Sequence, residues 1–205
     1  MSTQQNLQRY LNNIRNHYLN IYLDAIKGFK QRHEQAEVEA LASVNGVQGQ
    51  PEIFRWRRFD LVDQASNPPG IANFNPETHV SFAPESFTWQ RKLKIRFEPL
   101  AWNDVEFECT GLNMAKSQLE HWAVRWLDPQ NKRPVDNHGL GGRIHALTFP
   151  QKKVNRQVFY VDFGSAPVQA FQELLNVLTL ADVKKVRIRT ARLRAAEDQA
   201  QQAEA

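Results

Sequence analysis

Five acidic and imidazole side chains in the middle of the chain have the types needed for general acid–base chemistry. They are Glu120, His121, Asp136, His138 and His145. A carboxylate and an imidazole that converge can exchange a proton with a substrate near neutral pH. These five lie on an expected helix, on the glycine-bearing loop 129–142 and on the strand after it, so only folding could bring them together. The alternative is that His121 faces solvent beside Glu120 and that His138 is an ordinary loop residue.

The spacing of the histidines and glycines favours neither a metal nor a cofactor. None of the 6 histidines forms an HxH or HxxxH pair, which would pre-form a metal site. The glycines of GLGG (139–142) lack the preceding strand and following helix that a phosphate-binding loop needs. We interpret them as a flexible turn, and an enzyme is the less favoured class of function.

Two basic segments could instead contact phosphate. FRWRRF (54–59) interleaves aromatic and basic side chains, and residues 183–196 carry lysines and arginines without an acid. Because the net charge is only +4, the rest of the chain is slightly acidic, and a site would require both segments to share a face. Alternatively, Phe54 and Trp56 point inward from a short strand while the arginines lie over the surface. The candidate residues are Arg55, Trp56, Arg57, Arg58, Arg187, Arg189, Arg192 and Arg194.

The N-terminal segment has the spacing of an amphipathic helix from about residue 4 to 42. Apolar residues recur every three and four positions up to Phe29, and the remainder is mostly polar. Gly28 and Gln35 interrupt the seven-residue repeat, so a sustained coiled coil is not indicated. The helix either packs on the body of the protein, with a bend near Gly28, or docks a protein partner or a second copy. The candidate partner-binding residues are Leu7, Tyr10, Ile14, Tyr18 and Ile21.

Residues 89–109 alternate as the two strands of a β-hairpin. The apolar face holds Trp89, Leu93, Ile95, Phe97, Val105, Phe107 and Cys109. Pairing Phe97 with Val105 places Arg96 opposite Glu106 and Lys94 opposite Glu108. Opposite charges across strands contribute about 0.2–1 kcal/mol per pair. This register predicts that the basic stripe is neutralised and structural.

The second half of the chain repeats one plan of two strands followed by a helix. Asn113 is the expected N-cap of a helix that buries Leu119, Trp122, Ala123, Trp126 and Leu127, and Ser165 the expected cap of a helix that ends near residue 181. Strands are expected at 143–149, 157–163 and 183–190, with a turn over QKKVNR (151–156).

These patterns predict an α+β fold of doubled ββα units plus a final strand. The sheet is mostly antiparallel, with two helices on one face and the long N-terminal helix before it. We divide the chain into an N-terminal helix (1–43), an irregular connector with short strands (44–88, including a possible strand at 78–82), the core (89–193) and a polar tail (194–205).

Composition narrows the class of function. The 205 residues are 41% hydrophobic and 23% charged, as in globular domains, and no apolar run approaches the roughly 20 residues that span a bilayer. The N-terminus lacks the pattern of a secretory signal, and a single cysteine, expected in the core, is typical of a reducing cytoplasm. We therefore expect a non-enzymatic, cytoplasmic protein-interaction or assembly module that binds a protein partner or associates with itself as a homodimer. A nucleic-acid-binding module and a small enzyme are the alternatives.

Overall fold

The structure is a computed structural model, which describes residues 3–45, 50–74, 80–111 and 116–191. Three helices and ten strands lie in these ranges, so the α+β class is confirmed. A short 3₁₀ turn, Glu52–Arg55, precedes the second strand. The elements are α1 (Thr3–Lys30), β1 (Ala36–Ser43), β2 (Trp56–Asp63), β3 (Gly70–Ala72), β4 (Glu85–Trp89), β5 (Leu93–Phe97), β6 (Val105–Thr110), α2 (Lys116–Leu127), β7 (Ala146–Leu147), β8 (Gln151–Lys153), β9 (Arg156–Asp162), α3 (Val168–Leu180) and β10 (Lys185–Thr190).

The strands form two sheets. A 3-stranded sheet has the order β1-β2-β3, and a 7-stranded sheet has the order β4-β5-β10-β6-β9-β7, with β8 also paired to β9. Every ladder is antiparallel except that between β5 and β10, so the larger sheet is mostly antiparallel as expected. Helices α2 and α3 pack together, and Phe171 of α3 lies against Phe97 and Phe107 of the large sheet.

The expected hairpin between β5 and β6 is wrong. β10 lies between these two strands, parallel to β5 and antiparallel to β6, and the tight hairpin is formed by β4 and β5 instead. The connection 98–104 is longer than the two to five residues of common hairpin loops, which leaves room for a third strand. The alternation itself was read correctly, because all seven residues of the apolar face are buried.

The helix expected over 4–42 ends at Lys30, and residues 36–43 form β1. Alanine and glutamate in β1 favour a helix locally, but the ladder with β2 supplies backbone hydrogen bonds along the segment and overrides that preference. The segment expected to be an irregular connector with short strands contains β2 and β3. At the expected strand 78–82, Val80 makes one isolated bridge to Leu100, and residues 78 and 79 lie outside the described ranges.

The apolar stripe of α1 is buried in the protein's own core. Leu7, Ile14 and Tyr18 are at most 2% exposed, while Tyr10 is half-buried against Phe82. Ile21 is only partly buried, because the stripe follows Tyr22 and Ile26 instead. Contacts within the chain therefore account for the aromatic stripe.

Other boundaries differ locally from expectation. The strand expected over 143–149 is reduced to Ala146–Leu147, and the expected turn after it contains β8. Pro167, not Ser165, occupies the N-cap position of α3, and the apolar faces of α2 and α3 are buried as expected. Asn113, Arg192, Arg194 and the tail 194–205 lie outside the described residues. None of the described helices is both long and apolar enough to cross a membrane.

Candidate functional site

The structure does not bring the five acid–base candidates together. His121 and His138 are exposed and Glu120 is half-buried on α2. Asp136 Oδ1 accepts hydrogen bonds from the backbone N–H groups of His138 and Leu140, which closes the turn of its own loop. His145 alone is buried among acids, and those acids come from other elements.

His145 lies at the junction of the two sheets with three carboxylates around it. Its Nε2 is 2.9 Å from Glu39 Oε1 on β1, and its Nδ1 is 2.8 Å from Asp60 Oδ1 on β2. Asp162 Oδ1, at the end of β9, is 4.0 Å from the same Nδ1. The imidazole, Glu39 and Asp60 are at most 5% exposed. We call these four residues the His145 cluster.

Close backbone packing holds the His145 cluster in place. Glu39 has a φ of +54°, uncommon for a residue with a side chain, and lies between two residues that pair with β2, Val38 with Leu61 and Ala40 with Phe59. Its Oε2 accepts a hydrogen bond of 2.8 Å from the Gly141 N–H. A Cβ atom at Gly164 would lie 2.2 Å from His145 Cδ2, so only glycine fits there. Both Gly141, in the loop after α2, and Gly164, between β9 and α3, therefore pack on the His145 cluster.

Two buried arginines extend this network. Arg58 donates from Nη1 to the Glu39 carbonyl at 2.8 Å and from Nε to the Leu127 carbonyl at 2.8 Å. Its Nη2 donates to the Asp128 carbonyl at 2.7 Å, and Arg143 Nε donates to Asp128 Oδ2 at 3.0 Å. The sequence indicated that Arg58 either contacts phosphate or lies over the protein surface. It is instead 5% exposed, because its guanidinium satisfies backbone carbonyls inside the protein.

The charges of the His145 cluster compensate each other. Burial opposes a charged imidazole, but hydrogen bonding to Asp60 and Glu39 and the charges of Asp162 and Asp60 prevail and raise the pKa of His145 well above its usual value. Burial also opposes a charged Glu39, yet the hydrogen bond and charge of His145 lower the pKa of this carboxyl. Burial, together with Asp60 and Asp104 and against the opposing charge of His145, raises the pKa of Asp162 to about 7.

The His145 cluster joins the small sheet to the large sheet rather than forming an open site. Of its members, only Asp162 is appreciably accessible, with 27% of its side chain exposed. In the described ranges, no three ligand side chains are arranged to hold a metal ion. A substrate would have to displace buried ion pairs to reach the imidazole, so the geometry fits a structural role.

Two arginines of β10 form ion pairs with Glu106 and Glu98. Arg189 Nε is 3.0 Å from Glu106 Oε1, and both side chains are buried. Arg187 Nε is 2.9 Å from Glu98 Oε1, which also lies 3.5 Å from Arg96. The pairs expected between Arg96 and Glu106 and between Lys94 and Glu108 are therefore wrong, because β10 separates the two strands.

The position of β10 between β5 and β6 also places like charges side by side. Lys94 pairs in register with Lys185, and Arg96 with Arg187, across the parallel β5–β10 ladder. We call these four residues the basic face. They line an open depression of about 370 Å³ together with Glu108 and the hydroxyl side chains of Ser86, Thr88 and Thr110. No residue that the structure describes forms an ion pair with Lys94 or Lys185.

No protein-family model, curated protein or solved structure matches this chain. Function is therefore inferred from the geometry alone. Sequence reasoning missed Glu39, Asp60 and Asp162 as partners of His145, and it dismissed Lys94 as neutralised. The alternation of cations along β5 and β10 was visible in the sequence, but which strand lies beside which was not.

We expect His145→Gln to lower the free energy of unfolding by about 3–5 kcal/mol, because it leaves buried Glu39 and Asp60 without a counter-charge. Urea unfolding at neutral pH measures the loss. Adding Glu39→Gln to the variant should cost less than the sum of the two single changes. Additive losses would contradict the ion pairing.

The contribution of Asp162 to the stability of the protein should fall as the pH rises from about 4 to 7. In this window the unfolded chain ionises Asp162, whose ordinary pKa is 3.8, while the folded chain, with a pKa of about 7, keeps it protonated. Unfolding then releases a proton, so stability decreases with rising pH. Urea unfolding of Asp162→Asn across this range should show a weaker pH dependence, whereas Asp24→Asn on the exposed side of α1 should follow the parent protein. Parallel curves for all three proteins would refute the assignment.

Lys94→Gln should stabilise the protein by about 0.2–1 kcal/mol, because it removes one of two like charges that face each other across strands. The gain should shrink at high salt, which screens exposed charges. Urea unfolding at low and high salt measures both effects, with the exposed Lys27→Gln on α1 as the matched control. Destabilisation by Lys94→Gln at low salt would show that Lys94 has a structural partner.

Proposed function

We propose that this chain is a non-enzymatic nucleic-acid-binding protein that contacts phosphates through the basic face. The observation that carries the proposal is the register of β5 and β10, which sets Lys94 beside Lys185 and Arg96 beside Arg187. Like charges placed opposite one another cost stability in the free protein. Phosphate groups would remove that cost on binding and would release their own counterions.

The surroundings of the basic face support an anionic ligand. Glu98 and Glu108 are the nearby acids, and each already has an arginine partner, Arg187 and Arg156 respectively. The face therefore keeps a net positive charge. The hydroxyl groups of Ser86 and Thr88 at its border are hydrogen-bond donors that suit phosphate oxygens.

Of the arginines that the sequence offered as phosphate contacts, the proposal retains only part of the C-terminal set. Arg187 belongs to the basic face, whereas Arg58 and Arg189 are buried and bonded inside the protein. Arg55, Trp56 and Arg57 precede or begin β2, in the other sheet, and are not needed for the proposed contacts. The interface is thus built from β5 and β10 rather than from the two basic segments that the sequence suggested.

The other expected functions have less support. Docking of a protein partner or a second copy through α1 was motivated by an apolar stripe, and that stripe is packed in the core. Acid–base catalysis was motivated by His145, which is enclosed by ion pairs. A cytoplasmic location stays part of the proposal, because the single cysteine, Cys109, is a buried thiol of the kind found in reducing compartments.

Fluorescence anisotropy with a labelled mixed-sequence oligonucleotide of roughly 16 nucleotides, as a single strand and as a duplex, tests the proposal. At about 50 mM salt, where phosphate contacts bind strongly, we expect binding to at least one form. The double variant Lys94→Gln/Lys185→Gln should bind roughly thirty-fold more weakly, at about 1 kcal/mol per lysine. It should also reduce the slope of log K against log salt by about 1.4–1.8, since each phosphate contact contributes about 0.7–0.9.

The matched control is Lys27→Gln/Lys132→Gln, which removes the same charge from exposed positions on α1 and in the loop after α2. It should keep nearly the parent affinity. Equal losses of affinity in both double variants would show that binding depends only on net charge. No binding of either nucleic-acid form at low salt would refute the function. Binding to phosphatidylserine vesicles without binding to nucleic acid would also overturn it.

A further inference from the structure

A second depression, of about 370 Å³, lies between the two sheets, beside the accessible side of the His145 cluster. One wall comes from β2 and from the residues that follow β3. The other comes from the residues before β6, from β7 and from the end of β9. Its volume falls within the roughly 300–1,000 Å³ of small-molecule sites. We call it the seam depression, and its polar lining includes Asp60, Asp104, Asp162 and Asn103.

Three carboxylates from different elements meet in the seam depression. Asp104 precedes β6 and Asp162 ends β9, and the register of these antiparallel strands places the two residues opposite each other. Asp60 reaches the same place from β2 and lies 2.8 Å from His145. Like charges opposite one another across strands are unfavourable. Burial, together with the charges of Asp60 and Asp104 and against that of His145, accordingly raises the pKa of Asp162 to about 7.

Several oxygen atoms around the seam depression have no hydrogen-bond donor. Asp162 Oδ1 accepts the Gly164 N–H, but its Oδ2 has no partner among the described residues, and 27% of the side chain is exposed. Asn103 Oδ1 is buried and accepts no hydrogen bond from the described part of the chain. The same holds for the hydroxyl of Tyr18, a residue that is only 2% exposed. Buried polar atoms normally have partners, so these three oxygens together indicate a place for an external donor.

Neighbouring contacts place the Tyr18 hydroxyl beside the carboxylates of the seam depression. One turn further along α1, Tyr22 Oη donates to the Asp60 carbonyl at 3.0 Å. Phe74, which lines the depression, packs against the Tyr18 ring with the centroids 6.2 Å apart. Burial and then the charge of Asp162 raise the pKa of Tyr18 well above its ordinary value. The hydroxyl is therefore directed at the inner end of the depression.

Two arginines also line the seam depression, but neither is paired with its aspartates. The guanidinium group of Arg58 is bonded to backbone carbonyls of β1, of the end of α2 and of the loop after it. Arg57 is exposed and forms no ion pair with a described residue. Acceptor oxygens and negative charge therefore remain available in the depression.

A primary ammonium group suits these acceptors better than a guanidinium group or a metal ion. An ammonium group has three N–H donors that can reach separate oxygens, whereas the guanidinium fork pairs best with both oxygens of one carboxylate. Each of the three carboxylates already accepts a hydrogen bond from the protein on one oxygen, namely Asp60 Oδ2, Asp162 Oδ1 and Asp104 Oδ2. Among the described residues, no three acidic, histidine or cysteine side chains are placed to ligate a metal ion.

We infer that the seam depression binds a small aliphatic primary amine, whose ammonium group donates to Asp162 Oδ2, Asn103 Oδ1 and the Tyr18 hydroxyl. Asp60 and Asp104 add negative charge around the ammonium group. His145 stays enclosed by its ion pairs and takes no part. The inference is independent of the proposed function, because the seam depression and the basic face share no residue.

NMR titration of the isotope-labelled full chain with butylamine tests the inference. At about pH 8 the amine is protonated and Asp162, with a pKa of about 7, is ionised. We expect saturable shifts of the amide signals of Asn103 and Gly164. Butylguanidine should bind at least about tenfold more weakly, and tetramethylammonium, which has no N–H donor, should not bind. No saturable shift with butylamine, equal binding of the three cations, or tighter binding of Mg²⁺ or Ca²⁺ would overturn the inference.

Three variants test the named acceptors. Asp162→Asn should weaken butylamine binding by roughly ten- to hundred-fold, the effect of one hydrogen bond to a charged group. Tyr18→Phe removes only a hydroxyl without a partner in the described chain, so it should weaken binding about tenfold without lowering the free energy of unfolding. Asn103→Leu should also weaken binding, whereas Asn103→Asp, which keeps an acceptor oxygen, should bind at least as tightly as the parent protein. Parent affinity in Asp162→Asn or in Tyr18→Phe would refute these contacts.

Two further variants control for charge. Asp24→Asn removes the same charge as Asp162→Asn from an exposed position on α1, and it should bind butylamine as the parent protein does. Arg57→Gln removes a cation from the lining of the seam depression and should bind butylamine at least as tightly. Equal losses in Asp24→Asn and Asp162→Asn would show that only net charge matters. A loss of binding in Arg57→Gln would also contradict recognition of a cation at this place.

Discussion

The position of β10 between β5 and β6 is the constraint on which most of this structure depends. Because β10 pairs on both sides, it supplies backbone partners to two strands that are consecutive in the chain but separated in the sheet. Its apolar residues, Val186 and Ile188, fill the inner side of the sheet and are at most 1% exposed. The last strand thus completes a core that the earlier strands leave open.

Strand β10 also determines which charged side chains meet on the other side of the sheet. Arg189 enters a buried pair with Glu106, which would otherwise be a desolvated carboxylate. Nearer the beginning of the strand, Lys185 meets Lys94 and no compensating acid. One strand therefore neutralises the interior at one end and concentrates positive charge at the other.

A second set of charges joins the two sheets. The His145 cluster takes one side chain from each of β1, β2 and β9, and Arg58 fixes the backbone of β1 and of the loop after α2. Buried ion pairs add little net stability over well-packed apolar residues, but removing one partner is costly. Such a network favours one arrangement of the small sheet over others, and it leaves the histidine without access for a substrate.

The sequence by itself determined the local patterns of this protein. Period-two alternation identified the buried faces of β5, β6 and β10, and three-four spacing identified the apolar sides of α2 and α3, because these depend only on backbone geometry within each segment. Prediction from the sequence failed at β1, where alanine and glutamate favour a helix but pairing with β2 prevailed. Only the tertiary structure decided which strands are neighbours, and with that which charges meet: Glu106 with Arg189, His145 with Glu39, and Lys94 with Lys185. Those contacts join residues far apart in the chain, so no local pattern specifies them, and the candidate site consists almost wholly of such contacts.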